Sequence, residues 1–267
     1  MGSQFMKLSA SNIAWDAVLD QEMYGFLENN GFTGLEIAPT RLFSEAPYGR
    51  TAEMKNLSDQ LRSDYGLVIA SMQSIWYGKQ ENIFGSKEEQ NALIAYTNRA
   101  VDFAKAASCK NLVFGCPKNR NVPENNRQES VIPFFYVIAQ YAMKQGVTIA
   151  LEPNPVIYGT NFINTTESAF DFVKSVQSDG LKVNMDMGTI IYNQEDLSMI
   201  ENNLSFIHHI HISEPGLEQI QIRSQHLELA ALLRHSHYPG YISLEMKNPG
   251  DITQVKDAVL KMREVFH

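Results

Sequence analysis

Short runs of apolar and β-branched residues recur along the chain, and each is cut off by a polar residue, a proline or a glycine. The clearest run, residues 147–151, predicts a strand buried on both faces. It ends at Glu152, because the following Pro153 cannot continue a ladder of backbone hydrogen bonds. The same pattern predicts eight strands, at residues 7–11, 33–38, 67–72, 111–114, 147–151, 181–186, 207–211 and 241–245.

Most segments between these strands carry apolar residues at helical spacing. Predicted helices span residues 15–30, 51–65, 87–107, 128–145, 226–235 and 252–266. Another helix is expected after a capping box from Asn164 to Glu167, and Asn193 is expected to cap a further short helix.

Strands that alternate with helices imply right-handed βαβ units and a parallel sheet. Eight of them predict the α/β class and a single (β/α)8 TIM barrel. No linker divides the chain, so residues 6–267 are interpreted as one domain and residues 1–5 as a remnant of cloning. The absence of a GxGxxG or GxxxxGK[ST] loop argues against a doubly wound nucleotide-binding fold.

Composition narrows the classes of function. The net charge of −8 argues against a nucleic-acid partner, which would normally require a clustered basic face. No apolar run is long enough for a membrane span, and the first residues lack the pattern of a secretory signal. With only two cysteines, Cys109 and Cys116, we expect reduced thiols in a cytoplasmic protein.

Four of the predicted strands end in a side chain that can bind a metal ion, namely Glu152, Asp186, His211 and Glu245. In a parallel barrel all strand ends meet at one rim, so these side chains can converge. For any one of these acids, a solvated strand end is the simpler explanation. The presence of all four residues at corresponding strand ends favours a metal site. Three oxygen donors and one nitrogen suit Mn²⁺, Mg²⁺ or Co²⁺, with Zn²⁺ as a further option.

The motifs around these residues resemble those of the xylose isomerase-like TIM barrels, which include ketose 3-epimerases and endonuclease IV. The matching motifs are LEPNP at Glu152, NMDMGT at Asp186, HIHISEP at His211 and SLEMK at Glu245. The resemblance implies that these four residues bind the metal and that the two glutamates also transfer protons. It further implies a sugar isomerase or epimerase that works through an enediolate. Because many relatives are dimers or tetramers, we also expect a homo-oligomer.

The chain departs from the epimerase pattern at two positions. Thr189 stands where ketose 3-epimerases commonly carry a substrate-binding His, and residues 213–216 lack their Arg after His211. A different sugar, a cyclitol or a modified sugar is therefore an expected substrate. An inosose-type dehydratase or a non-catalytic carbohydrate-binding barrel are the alternatives. An endonuclease is disfavoured because Gln73 and Cys116 stand where its additional histidines would lie.

Further residues are candidates for binding substrate. Lys247 lies two residues beyond Glu245 and should point the same way, although a solvated lysine explains it equally well. His226 follows the seventh strand, Trp76 can stack on a sugar, and Glu36 can line the cavity or hydrogen-bond inside the barrel. His209 alternates with the seventh-strand His but lies deeper, so a packing or supporting role is expected.

Overall fold

The computed structural model describes residues 6–267. The five preceding residues, interpreted above as a cloning remnant, lie outside the described residues. Eight parallel strands pair in sequence order, and the first pairs with the last, which closes the sheet. The fold is thus the predicted single (β/α)8 TIM barrel. Its strands are β1 (Lys7–Ser11), β2 (Gly34–Ile37), β3 (Val68–Met72), β4 (Asn111–Phe114), β5 (Thr148–Leu151), β6 (Leu181–Asp186), β7 (Ile207–Ile212) and β8 (Tyr241–Leu244).

Helices connect the strands and cover the outside of the barrel. The helices are α1 (Asp20–Asn29), α2 (Pro39–Leu42), α3 (Thr51–Tyr65), α4 (Lys87–Ala106), α5 (Ile132–Lys144), α6 (Thr166–Val176), α7 (Met187–Asn193), α8 (Ser198–Glu201), α9 (Ser224–His235) and α10 (Ile252–Phe266). Local signals set several ends: a Ser86–Glu89 capping box starts α4, and Gly66 in the left-handed conformation ends α3. Within residues 6–267, no helix combines the length and apolar character that crossing a membrane requires.

Two local predictions about helix starts are wrong. The capping box of α6 joins Thr165 and Ser168, whose hydroxyls accept each other's backbone N–H, rather than Asn164 and Glu167. Asn193 is the last residue of α7 and does not cap a following helix. In both places several polar residues near the helix start are able to cap it, so residue type alone does not predict which one does.

Side chains alternate between the two faces of each strand, and the two faces differ in chemistry. Outward residues such as Leu8, Ile149 and Ile210 are fully buried beneath the helices. Inward residues are largely polar and bond across the lumen, as Ser9 does with Ser243. The barrel interior is therefore a polar channel of hydrogen bonds that leads up to the carboxyl ends of the strands.

Candidate active site

The carboxyl ends of four consecutive strands bring the predicted metal ligands together. Glu152 follows β5, Asp186 ends β6, His211 lies in β7 and Glu245 follows β8. One ligand atom from each residue lies within 4.8 Å of the other three. We refer to these four residues as the donor cluster. Its atoms are close enough to share one cation.

His211 lies at the centre of the donor cluster and is fully buried. Its Nδ1 atom is 2.8 Å from Glu152 Oε1 and 3.1 Å from Glu245 Oε2. Asn184, also inside the barrel, donates from Nδ2 to Glu152 Oε1 at 2.7 Å and lies 3.1 Å from His211 Nδ1. One imidazole nitrogen is thus surrounded by oxygen atoms from two strands and by an amide from a third.

Asp186 is held by the first turn of the helix that it caps. The backbone N–H and the hydroxyl of Thr189 both donate to Asp186 Oδ2, at 2.7 and 2.8 Å, and Ser213 Oγ donates to Oδ1. The same Thr189 hydroxyl lies 2.9 Å from the Pro153 carbonyl oxygen. Thr189 is fully buried. It therefore supports Asp186 and presents no side chain to the cavity.

Burial and mutual repulsion perturb the acids of the donor cluster. Burial, together with the charge of Glu152, raises the pKa of Asp186 to about 6. Burial and the charges of Glu152 and Glu36 raise the pKa of Glu245 to about 7, although His211 opposes the shift. Burial lowers the pKa of His211, but the charges of Glu245 and Glu36 outweigh it and raise this pKa well above its ordinary value.

The donor set fits a divalent cation. Three carboxylates and an imidazole supply hard oxygen ligands and one nitrogen, the combination that Mn²⁺, Mg²⁺ and Co²⁺ accept. Because the acids are buried and close together, the pKa of Asp186 is raised to about 6 and that of Glu245 to about 7, so in the metal-free protein both keep their protons to higher pH than ordinary carboxyls do. A cation at this place would replace those protons and relieve the repulsion.

A cavity of about 170 Å³ lies over the donor cluster. Three acids of the cluster form part of its wall, while His211 does not. No lysine, arginine or histidine is among the described residues of the lining. The lining consists of Gln73, Ser74, Val113, Gly115, Cys116, Pro117, Glu152, Asn154, Tyr158, Asp186, Leu217 and Glu245.

Gly115, just beyond β4, leaves room for the Glu152 carboxylate. A Cβ atom at position 115 would lie 2.8 Å from Glu152 Oε2, which is closer than side-chain carbons approach other atoms. The same oxygen accepts a hydrogen bond from Asn154 Nδ2 at 3.2 Å. Glycine at this position therefore preserves the present orientation of Glu152.

Sequence reasoning missed Tyr158 as a cavity residue. Its hydroxyl accepts a hydrogen bond from the Gly216 backbone N–H at 3.0 Å, which ties the loop after β5 to the loop after β7. Burial and the charge of Asp186 raise the pKa of Tyr158, so its hydroxyl keeps its proton and can donate. An aromatic residue soon after a strand-end carboxylate was the available signal, but loop length alone does not predict where such a ring lies.

Two of the candidate substrate-binding residues lie away from the cavity lining, in the interior. Glu36 is fully buried in the lumen, where its Oε2 atom is 3.0 Å from His211 Nε2. Trp76 packs edge-on against Phe114, with ring centroids 4.6 Å apart, and donates from Nε1 to Thr97 Oγ1. A substrate contact by either residue stays a prediction, and in this geometry both support neighbouring side chains.

The other two candidates lie near the rim of the barrel. His226 is fully buried in the first turn of α9, where its Nδ1 accepts a hydrogen bond from the Arg223 backbone N–H at 3.0 Å. Lys247 is exposed and forms an ion pair with Glu218. Neither residue belongs to the cavity lining, so their predicted contact with substrate remains untested.

Comparison with known proteins agrees with this architecture. A family model described as xylose isomerase-like TIM barrel matches residues 25–265. A search of curated proteins finds no match. Among solved structures, 3-keto-D-glucoside 4-epimerase from E. coli is 18% identical, with a TM-score of 0.76 over 97% of this chain and 99% of that one.

Two further solved structures have the same fold. D-Psicose 3-epimerase from Clostridium cellulolyticum H10 is 16% identical, with a TM-score of 0.77 over 98% of this chain and 100% of that one. A probable 3-DHS dehydratase from Bacillus anthracis is 17% identical, with a TM-score of 0.69 over 97% and 98% of the two chains. At these identities the likeness establishes the fold and leaves the reaction open.

Proposed function

The chain belongs to the xylose isomerase-like TIM barrel family, and we propose that it is a divalent-metal-dependent isomerase or epimerase of an uncharged sugar. The reaction would proceed by proton transfer through an enediolate. The observation that carries the proposal is the donor cluster, whose four ligand atoms lie within 4.8 Å of one another beneath a cavity. Solved structures with this fold that are named as sugar epimerases support the same class of reaction.

All four residues of the donor cluster would hold the cation, with Thr189 and Ser213 orienting Asp186. Mn²⁺, Mg²⁺ and Co²⁺ are the ions that this donor set favours. When bound, such an ion supplies Lewis acidity that acidifies a C–H beside a carbonyl and offsets the negative charge that develops there.

Glu152 and Glu245 are the proposed acid and base. Both line the cavity, and they come from strands that are separated by two others. In the metal-free protein, burial raises the pKa of Glu245 to about 7; coordination to a cation would favour its ionised form, which can accept a proton from the substrate. In an epimerase one glutamate would remove the proton from the substrate carbon, and the other would deliver a proton of its own to the opposite face.

The lining of the cavity favours a substrate without a phosphate or carboxylate group. No lysine or arginine is among its described residues, whereas three acids are. Recognition of a phosphate or carboxylate normally relies on arginine, lysine or a cluster of backbone N–H groups. Gln73, Asn154 and Tyr158 offer neutral hydrogen-bonding groups instead, which suit the hydroxyls of a ketose or a cyclitol.

A dehydratase of the inosose type is the second candidate. Thr189 points its hydroxyl at Asp186, so the substrate contact that epimerases make with a His at this position is replaced by an internal hydrogen bond. Without this contact the substrate is held at fewer points. Removal of a proton from the carbon beside a carbonyl can then end in loss of a hydroxyl from the adjacent carbon. The glutamate that removed the C–H proton would then donate it to the departing hydroxyl, which leaves as water.

Exchange with solvent deuterium tests the proposal. The purified protein would be incubated in D₂O with Mn²⁺ or with EDTA and a panel of neutral ketoses and cyclitols, and C–H signals followed by ¹H NMR. We expect metal-dependent loss of one C–H signal and growth of either an epimer or a dehydrated product. Glu245→Gln should abolish the exchange, while Glu214→Gln, which alters another buried carboxylate, should retain it.

The outcomes separate the candidate functions. A dehydrated product identifies the lyase, and an epimer or aldose–ketose pair identifies the isomerase class. Metal and sugar binding without exchange identifies a carbohydrate-binding barrel. Undiminished exchange in Glu245→Gln would contradict the two-glutamate mechanism, and faster turnover of phosphorylated sugars would contradict the uncharged substrate.

A further inference from the structure

A buried carboxylate outside the donor cluster, Glu36 on β2, lies in the barrel lumen behind that cluster. Its Oε2 atom is 3.0 Å from His211 Nε2 and 3.2 Å from His209 Nε2. Its Oε1 atom accepts a hydrogen bond from Gln73 Nε2 at 3.2 Å. Glu36 is fully buried and is absent from the described lining of the substrate cavity. Glu36 can therefore influence the cavity only through the side chains that it contacts.

Burying a carboxylate is costly unless charged or hydrogen-bonding groups compensate it. Two imidazole rings and the Gln73 amide lie against Glu36 and can compensate its negative charge, and an ionised carboxylate can only accept hydrogen bonds. His209 adds little by direct bonding, because its Nε2 atom is close to Glu36 but too poorly aligned for a hydrogen bond. The well-formed contact of Glu36 is therefore with the ring of His211.

Asn184 restricts the opposite side of the same ring. Its Nδ2 atom donates to Glu152 Oε1 at 2.7 Å and lies 3.1 Å from His211 Nδ1. The reversed amide would place Oδ1 against the Glu152 carboxylate, which repels it. The ring must be neutral to coordinate a cation, and in that state the Asn184 contact favours an unprotonated Nδ1, since an amide nitrogen only donates.

We propose that Glu36 is a positioning residue that fixes the Nε2–H tautomer of His211 and thereby points the lone pair of Nδ1 at the other members of the donor cluster. The acceptor-only Glu36 receives the Nε2 proton. The nitrogen that faces Glu152 and Glu245 is then free to coordinate. A carboxylate behind a metal-binding imidazole raises the basicity of the ligand and locks the ring orientation.

The role of Glu36 rests on the metal site proposed above, so its test must separate the two. Glu36→Gln keeps the size of the side chain but removes the charge, and its amide can donate to Nε2 and favour the wrong tautomer. We expect Mn²⁺ affinity in isothermal titration calorimetry to weaken about 10- to 100-fold, as found when such supporting groups are removed. Glu214→Gln, a matched change at a buried carboxylate that pairs with Arg223, should bind Mn²⁺ like the wild type.

The tautomer itself can be measured in the wild-type protein, which avoids dependence on the folding of the variant. Two-bond ¹H–¹⁵N spectra of ¹⁵N-histidine-labelled protein with Mg²⁺ bound should give an Nε2–H tautomer for His211, assigned by the loss of its signals in His211→Asn. If Glu36 acted only through its charge, Glu36→Gln would weaken metal binding but His211 would keep the Nε2–H tautomer. We therefore expect the variant to lose the spectrum of the Nε2–H tautomer as well.

These experiments distinguish failure of the proposed metal site from failure of the proposed role of Glu36. If the wild type binds neither ion, or if Asp186→Asn binds Mn²⁺ as tightly as the wild type, the metal site itself is wrong. If the wild type binds the ion and Asp186→Asn does not, an Nδ1–H tautomer in the loaded wild type overturns the role of Glu36. Unchanged affinity in Glu36→Gln would overturn it as well.

Discussion

At the scale of single residues, the site depends on how closely side chains from different loops approach one another. Gly115 has no side chain, and the Glu152 carboxylate occupies the space where one would lie. Asn184 and Asn154 hold the two oxygens of that carboxylate from different directions. The orientation of Glu152 is thus determined by contacts that a single added methyl group would disturb.

Gly115→Ala tests this dependence. The new Cβ would approach Glu152 Oε2 to 2.8 Å, so the carboxylate must turn away from its present position. We expect Mn²⁺ affinity to fall about tenfold, which corresponds to about 1.4 kcal/mol, with little change in urea unfolding of the metal-free protein. Gly49→Ala is the matched control, because no atom lies within 4 Å of its added Cβ. Equal affinities in the two variants would contradict the account of Glu152.

At the scale of elements, regular periodicity made most of the fold predictable. The bounds predicted for β1, β4, β6, α3 and α10 agree with the structure, because each combines a clear apolar pattern with a nearby proline, glycine or cap. The donor cluster was predictable for a related reason: in a parallel barrel, residues at corresponding strand ends must meet at one rim.

Other features could not be predicted because they depend on three-dimensional contacts. Helix α7 begins directly after Asp186 with no loop, and Asp186 serves both as the end of β6 and as the helix cap. The contacts of Glu36 and Tyr158 depend on barrel register and loop path, which local sequence does not encode. Trp76 was a candidate because it follows β3 and its ring can stack on a sugar, but neither its position nor its type distinguishes packing from binding.

Thr189→Val tests the role of the start of α7. Valine has nearly the same shape but removes the hydroxyl bonds to Asp186 and Pro153. We expect the free energy of unfolding to fall by about 1–2 kcal/mol, and the pKa of Asp186 to rise because its carboxylate loses a donor. Urea unfolding would measure the first effect and the pH dependence of Mn²⁺ affinity the second, and Thr189→Ser should restore both. A variant with wild-type stability and affinity would show that the hydroxyl does not support Asp186.

At the scale of the whole molecule, the barrel concentrates negative charge in a largely buried site. The chain carries a net charge of −8, and its cavity is lined by three acids. Within residues 6–267 no lysine or arginine forms an ion pair with these acids, and His211 offsets their repulsion only in part. The folded protein should therefore exchange protons for a cation as it binds one.

This exchange predicts how metal stabilisation varies with pH. The folded-state pKa values of Asp186 and Glu245 are about 6 and about 7, against ordinary values of 3.8 and 4.5. In the metal-free protein the stability that these carboxyls contribute is therefore present below their ordinary pKa values and is lost as pH rises towards 7. The raised pKa of His211 likewise gives the metal-free protein stability that is lost as pH rises above the ordinary value of 6.5. A bound cation should restore the stability that the metal-free protein loses at higher pH.

We expect the rise in Tm on adding Mn²⁺ to grow from about pH 5 to about pH 8. At a hundredfold excess over Kd the ion stabilises by about 2.7 kcal/mol, and each kcal/mol raises Tm by about 2–4 °C for a protein of this size. Differential scanning calorimetry with Mn²⁺ or EDTA at each pH gives the comparison. A rise in Tm that is constant, or larger at the acidic end, would contradict the exchange of protons for metal.

The most direct measurement of the central claim is an anomalous difference map from crystals grown with Mn²⁺. The account predicts one strong peak at the carboxyl end of the barrel, within about 2.5 Å of a donor atom from each of Glu152, Asp186, His211 and Glu245. A peak elsewhere, or no peak in crystals of folded protein at saturating Mn²⁺, would contradict it.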